Sequence, residues 1–199
     1  EELCACPRWH GINKSAPNRG VAMFIPKETA NKIYNSLPKG SNTFLIPSNY
    51  TKEEILITVK KHDPTECHSF NIGSFLNALF GEKKTIVESY PETDGLVLIT
   101  CIERLTPLAK KLGYKNVTVN LPGGKANIVN GVLENEYVTA RRETLEETEH
   151  IDIDDRLIKN SCKTTFRVGP QTFFVCTLDE IDHRFRVADN GLGGELLFK

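Results

Sequence analysis

The chain has 199 residues, of which 39% are hydrophobic and 26% charged, and its formal net charge is −1. This is ordinary globular composition; the near-zero charge excludes a global basic field, so any nucleic-acid contact has to come from a local patch. The longest apolar run, Leu96–Ile102, falls far short of the roughly 20 residues that a membrane span needs. Glu1-Glu2-Leu3-Cys4 has neither the basic start nor the hydrophobic stretch of a signal peptide. Six cysteines in a chain of this length fit a reducing compartment, so a cytoplasmic location and no membrane partner are expected.

In chain order, residues 7–20 carry Pro7, Gly11, Pro17 and Gly20 and read as loop. Val21–Ile25 suits a short strand. Pro26 opens a helix with Ala30, Ile33, Tyr34 and Leu37 on one face, stopped by Pro38-Lys39-Gly40. Thr43–Ile46 and Ile55–Val59 suit strands, although Lys52-Glu53-Glu54 is a competing helix start. Ile72–Phe80 suits a buried helix ending at Gly81. A boundary is placed near residue 92, so that 1–92 is an N-terminal extension or subdomain and 93–199 the main domain.

Beyond it, Leu96–Ile102 reads as one buried strand. Thr106-Pro107 starts a short helix carrying Leu108 and Leu112. Asn116–Leu121 alternates like a half-buried strand, and Pro122-Gly123-Gly124 breaks it. A helix runs from about Asn135 to Thr148. Thr164–Val168 and Gln171–Thr177 form a hairpin around Gly169-Pro170. Cys101 and Cys176 sit in apolar runs as core thiols. Asp152, Asp154 and Asp155 read as a solvated turn.

The chemistry concentrates in Leu121–Ile151. Glu143, Glu146 and Glu147 stand at i, i+3 and i+4, which places three carboxylates on one helix face. Such a face is either solvated or neutralised by a cation, and hard oxygen ligands suit Mg²⁺ or Mn²⁺. Gly123-Gly124 lets the backbone come close to a ligand and expose its carbonyls. Arg142 can pair with a carboxylate and hold it in place. Seven residues separate it from Glu134.

This segment resembles the Nudix box, in which a glycine, five residues, Glu and seven residues precede Arg-Glu, an aliphatic residue, any residue and Glu-Glu. Glu134, Arg142, Glu143, Glu146 and Glu147 match in identity and spacing, and Leu121-Pro122-Gly123-Gly124-Lys125 is similar to the family's lead-in. The resemblance covers roughly residues 93–180. Three features depart from it. Nine residues rather than five separate Gly124 from Glu134, an insertion of about Asn127–Asn130. Thr144 replaces an inward aliphatic residue, and Glu149 replaces the glycine that ends the helix.

The resemblance implies an α/β/α sandwich around a mixed sheet. A second covering helix is either Lys27–Leu37 or lies outside the chain. It also implies a divalent-metal-dependent hydrolase that cleaves a diphosphate linkage in a nucleoside diphosphate derivative. Mg²⁺ or Mn²⁺ would be held by Glu143, Glu146, Glu147 and the Gly123 carbonyl. Gly124 and Lys125 would face the substrate, and Arg142 would support the site. Glu146 or Glu147 could deprotonate water, or a carboxylate off the helix could do so, with Glu134, Glu180 and Glu195 as candidates.

The alternatives are mRNA cap hydrolysis, a binding module without turnover, and an interaction protein. Lys52, Lys60, Lys61, Lys83 and Lys84 are the RNA-facing candidates, and a homodimer is compatible. Tyr137, Phe166, Phe173 and Phe174 could stack a base but read more simply as core. Cys4, Cys6 and His10 with Cys67 and His68 could supply zinc ligands, although the Cys-x-Cys spacing is tight for a structural site.

Overall fold

The computed structural model describes residues 16–38, 40–61, 93–103, 107–112, 118–168, 170–180 and 184–187. Cys4, Cys6, His10, Cys67, His68, Lys83, Lys84, Glu195 and the helix expected at 72–80 lie outside the described residues. The fold is mixed α/β. Among the described residues no helix is long and apolar enough to cross a membrane.

At the centre of the main sheet is β1 (Asn18–Ile25), whose last six residues are buried. Period-two alternation sends Val21, Met23 and Ile25 to one core and Ala22 and Phe24 to the other. β1 runs parallel to β10 (Gln171–Thr177) and antiparallel to β3 (Val97–Glu103). β2 (Thr43–Pro47) pairs with β3, and β9 (Cys162–Val168) pairs with β10, both antiparallel. The sheet therefore draws strands from both sides of residue 92, and that position does not separate two cores.

The first core lies beneath α1 (Lys27–Ser36), α4 (Glu136–Thr148) and α5 (Asp155–Ser161), with Ala30, Ile33, Ala140, Leu157 and Ile158 turned into it. It is closed by β8 (Ile151–Ile153), paired with β11 (Phe185–Val187). On the other face, Ile55 and Val59 of α2 (Lys52–Lys61) pack on Leu98, Phe166 and Phe173. Two expectations are corrected here. Ile55–Val59 is helix, because Thr51 and Glu54 form a reciprocal capping box: the Thr51 N–H donates to Glu54 Oε1 at 2.9 Å and the Glu54 N–H to Thr51 Oγ1 at 3.3 Å. That cap outweighs the weak strand preference of the β-branched residues. The helix covering the far face is thus α2, whereas Lys27–Leu37 packs on the same face as α4.

β1 and β3 separate beyond Met23 and Ile99, and a bent strand enters between them. Its first half, β4 (Thr118–Asn120), pairs with β3; its second half, β5 (Gly123–Lys125), pairs with β1. Cys101 already has β2 on one edge and Gly20 already has β10 on one edge, so β4 and β5 occupy the inner edges of the gap. Pro122-Gly123-Gly124 therefore does not end the strand; it changes its partner. Short α3 (Pro107–Lys111) leaves Leu108 and Leu112 exposed.

The aspartates after α4 are not a solvated turn. Asp152 is buried in β8, where it accepts from Arg141 Nε at 2.8 Å and also binds Arg186. Asp154 caps α5 through the Arg156 N–H at 2.8 Å.

Glu149 is the C-cap of α4 and has φ of 69°. The helix stops there in the left-handed conformation that a glycine adopts without a side-chain clash. Glu149→Gly is therefore expected to stabilise the protein by about 1 kcal/mol, read as a rise of a few degrees in thermal midpoint; a fall would contradict this cap geometry.

Candidate metal centre

The site is where α4 meets β5. Asn135 caps the helix by accepting from the Tyr137 N–H at 2.9 Å. The inner face is made of small residues, with Thr139, Ala140, Thr144 and Thr148 fully buried. Thr144 does face inward where an aliphatic residue was expected, and its hydroxyl is satisfied by the Ala140 carbonyl at 2.7 Å. Small side chains let the helix lie close to the strands, so its next rows of residues reach β5.

Gly124 meets Glu143 directly. A Cβ on Gly124 would lie 2.7 Å from Glu143 Oε1 and closer still to its other carboxyl atoms, so only glycine leaves room for that carboxylate. One residue earlier, the Gly123 N–H donates to Glu147 Oε1 at 2.6 Å. Gly123 itself is pressed against Gln171 and Gly20, which leaves no room for a side chain there either. The two glycines thus fix two of the three helix carboxylates against a backbone edge.

Arg142 ties the remaining parts together. Its Nε and Nη2 donate to both oxygens of Glu134 at 3.1 and 2.9 Å, a bidentate pair. Nη2 also donates to the Lys125 carbonyl at 2.8 Å. Nη1 donates to Glu143 Oε1 at 2.9 Å and to Glu146 at 3.2 and 3.3 Å. Three carboxylates, Glu134, Glu143 and Glu146, therefore crowd one stretch of surface against a single guanidinium. Burial pushes the Glu143 carboxyl up, partly offset by Arg142. Glu134 is held below the usual carboxylate range, first by Arg142 and then by Thr139 and the Asn127 N–H.

Sequence reasoning brought Glu134, Arg142, Glu143, Glu146, Glu147, Gly123, Gly124 and Lys125 to one place, and the structure gathers them along α4 and β5. Among the described residues, however, no three His, Cys, Asp or Glu side chains form a ready cation cage. Glu143 and Glu146 are turned to Arg142 and Glu147 to the Gly123 amide. Glu180 is exposed, past the end of β10. The candidate stacking rings belong to the interior: Phe166, Phe173 and Phe174 are buried, Tyr137 stacks on Phe174 with centroids 4.7 Å apart, and Phe166 stacks on Phe173 at 5.3 Å.

The inserted segment before Glu134 is a β-hairpin, which the loop reading missed. β6 (Ile128–Val129) and β7 (Val132–Leu133) pair around Asn130-Gly131, whose φ values are 53° and 76°. Asn-Gly between apolar pairs is a strong hairpin signal, and it was present in the sequence. The Glu134 N–H donates to the Asn127 carbonyl at 2.8 Å, which extends the ladder to the residue that Arg142 holds. Ile128, Val129, Val132 and Leu133 are 57, 65, 69 and 48% exposed. Alternation places Val129 and Val132 on the same ribbon face as the Glu134 carboxylate.

No family model, no curated protein and no solved structure matches this chain.

The lowered carboxyl of Glu134 has a consequence for stability. Its folded value lies below its unfolded one, so its contribution is complete above the unfolded value of about 4.3 and is lost as pH falls through the folded value. Glu134→Gln is expected to cost about 1.5 kcal/mol at neutral pH and to flatten the decline in stability below about pH 4.3, as read by denaturant titrations at several pH values. An unchanged acid limb would contradict the Glu134–Arg142 pairing.

Proposed function

We propose that the chain is a Nudix-type hydrolase, dependent on Mg²⁺ or Mn²⁺, that cleaves a diphosphate linkage in a nucleoside diphosphate derivative. One observation carries this reading: a single helix face carries Glu143, Glu146 and Glu147 and holds two of them, Glu143 and Glu147, against a Gly-Gly strand, and a Glu134–Arg142 pair supports it. The donors are hard carboxylate oxygens, which suit Mg²⁺ or Mn²⁺. Arg142 Nη1 already occupies a cationic position between Glu143 and Glu146, so that space accepts positive charge.

In this reading Glu143, Glu146 and Glu147 would hold the ion together with the Gly123 carbonyl, and Glu143 and Glu146 would give up their Arg142 partner for it. When bound, the metal lowers the pKa of a water molecule and offsets charge on the diphosphate oxygens. The protein's own residues do the positioning. Arg142 keeps Glu134 and the Lys125 carbonyl and so fixes the angle of the helix to β5. Gly124 keeps the Glu143 carboxylate against the strand. Glu146, whose side chain is 58% exposed, would take the proton of the attacking water. Both oxygens of Glu134 already accept hydrogen bonds, so it is a positioning residue in this scheme rather than the base. Lys125, exposed at the end of β5, meets phosphate oxygens, and Val129 and Val132 pack on the group attached to the diphosphate.

Cap hydrolysis draws no support from the lysines of α2. Lys52 pairs with Asp179 at 3.3 Å, and α2 covers the opposite face of the sheet from α4.

The test is chromatographic detection of the two phosphorylated products of diphosphate cleavage from a panel of nucleotides, nucleotide sugars, dinucleotides and capped RNA with Mg²⁺ or Mn²⁺. Glu146→Gln and Glu147→Gln are each expected to lower kcat by about 100-fold or more while circular dichroism stays unchanged. On the best substrate, Val129→Ser with Val132→Ser is expected to raise KM several-fold with kcat little altered. No turnover on any substrate, or unchanged rates in the Gln variants, would overturn the enzyme reading; retained ligand binding without turnover would leave a binding module.

A further inference from the structure

A second chemical feature lies away from the carboxylates, where β9 and β10 bring two cysteines to one point. Cys162 and Cys176 are register partners, and the register slips just before them: Val175 pairs with Thr164, but Cys176 pairs with Cys162, leaving Lys163 as an extra residue. This slip decides which way Cys162 faces. Phe166 lies in the core beneath α2. Strict alternation would carry Thr164 and Cys162 to that same face. The bulged residue reverses the sense. Cys162 therefore packs on the core beneath α4 and α5, where Cys176 is fully buried.

Both cysteines are free thiols; Cys162 Sγ donates to the Thr164 carbonyl at 3.3 Å and Cys176 Sγ to the Ile158 carbonyl at 3.5 Å. Directly opposed residues of an antiparallel pair have Cα atoms roughly 4.5–5.5 Å apart, inside the range of roughly 4.4–6.8 Å that a disulfide spans. The two differ in access: Cys162 is half-buried at the junction of α5 and β9, and Cys176 is closed off. The contact with Cys176 holds the Cys162 thiol below its ordinary range, which favours the nucleophilic thiolate. The same contact, with burial, pushes Cys176 up.

We propose that Cys162 and Cys176 are a peroxide-responsive pair that closes to a disulfide within the folded protein. The Cys162 thiolate attacks one oxygen of hydrogen peroxide: an S–O bond forms, the O–O bond breaks, and the hydroxide released takes up a proton as water. Cys176 sulfur then attacks the Cys162 sulfenic sulfur. The S–S bond forms, the S–O bond breaks, and the hydroxyl leaves with the Cys176 proton as a second water. Two thiols and one peroxide thus give one disulfide and two waters. The half-exposed residue meets the oxidant and the buried one resolves it, which protects Cys162 from further oxidation. This chemistry is independent of the hydrolase reading.

The full chain, folded and reduced, is treated with hydrogen peroxide, alkylated in denaturant and digested for mass spectrometry. The expected product is a cross-linked pair of peptides holding Cys162 and Cys176, two hydrogens lighter than their sum, separated again by dithiothreitol and absent in Cys162→Ser. The thermal midpoint of the wild type is expected to rise on oxidation, and that of Cys162→Ser is not. Cys162→Ser replaces the accessible member, so the test survives if Cys176→Ser fails to fold. Both thiols alkylated after treatment, Cys162 recovered as sulfinic acid beside a free Cys176, or a cross-link formed only in unfolded protein would overturn the proposal.

Discussion

The guanidinium of Arg142 is the point at which the acidic face of α4, the glycine strand and the inserted hairpin are held together. Glu134, Glu143 and Glu146 on one short surface repel one another, and a single cation with five fixed donors offsets that repulsion while setting their positions. Because it also reaches the Lys125 carbonyl, it fixes the helix to a backbone position rather than only to other side chains. A lysine could neutralise the charge but could not span these partners with one rigid group.

This hub is reachable only because of how the sheet opens. β1 and β3 part beyond Met23 and Ile99, and the bent strand enters the gap with its glycines at the closest approach. The inner face of α4 then gives up large apolar side chains for Ala140 and three threonines, whose hydroxyls bond to nearby oxygens. The helix is consequently placed by polar contacts as much as by packing. Arg141, one residue before the hub, points elsewhere and fastens the opposite side of α4 to Asp152 of β8. Adjacent arginines thus tie one helix to two different elements.

Much of this was legible in the sequence. The buried strands at Val21–Ile25 and Leu96–Ile102, the helix from Asn135 to Thr148 and the β9–β10 hairpin follow from periodicity, because burial on both faces or on one stripe leaves a plain pattern. The shared face of the three helix glutamates follows from their spacing, and Glu134 and Arg142 join them through the resemblance to the Nudix box. What was missed depended on local polar geometry or on long-range pairing. Ile55–Val59 reads as a strand until the Thr51–Glu54 cap is weighed. Asp152 reads as solvated because its partners, Arg141 and Arg186, are 11 and 34 residues away. Which helix covers which face depends on the handedness of the whole chain path, and no window of sequence contains it. The turn of Cys162 into the first core needs the bulge at Lys163, which has no composition signal.

The proposed function rests on whether the Arg142-bound carboxylates exchange their partner for a metal ion. Anomalous diffraction from crystals soaked in Mn²⁺ tests this most directly. The account predicts a peak between α4 and β5 within bonding distance of Glu143, Glu146 and Glu147, with Arg142 Nη1 withdrawn and its bonds to Glu134 and Lys125 kept. Crystals that take up no manganese at this place, with Arg142 still bonded to Glu143 and Glu146, would contradict it.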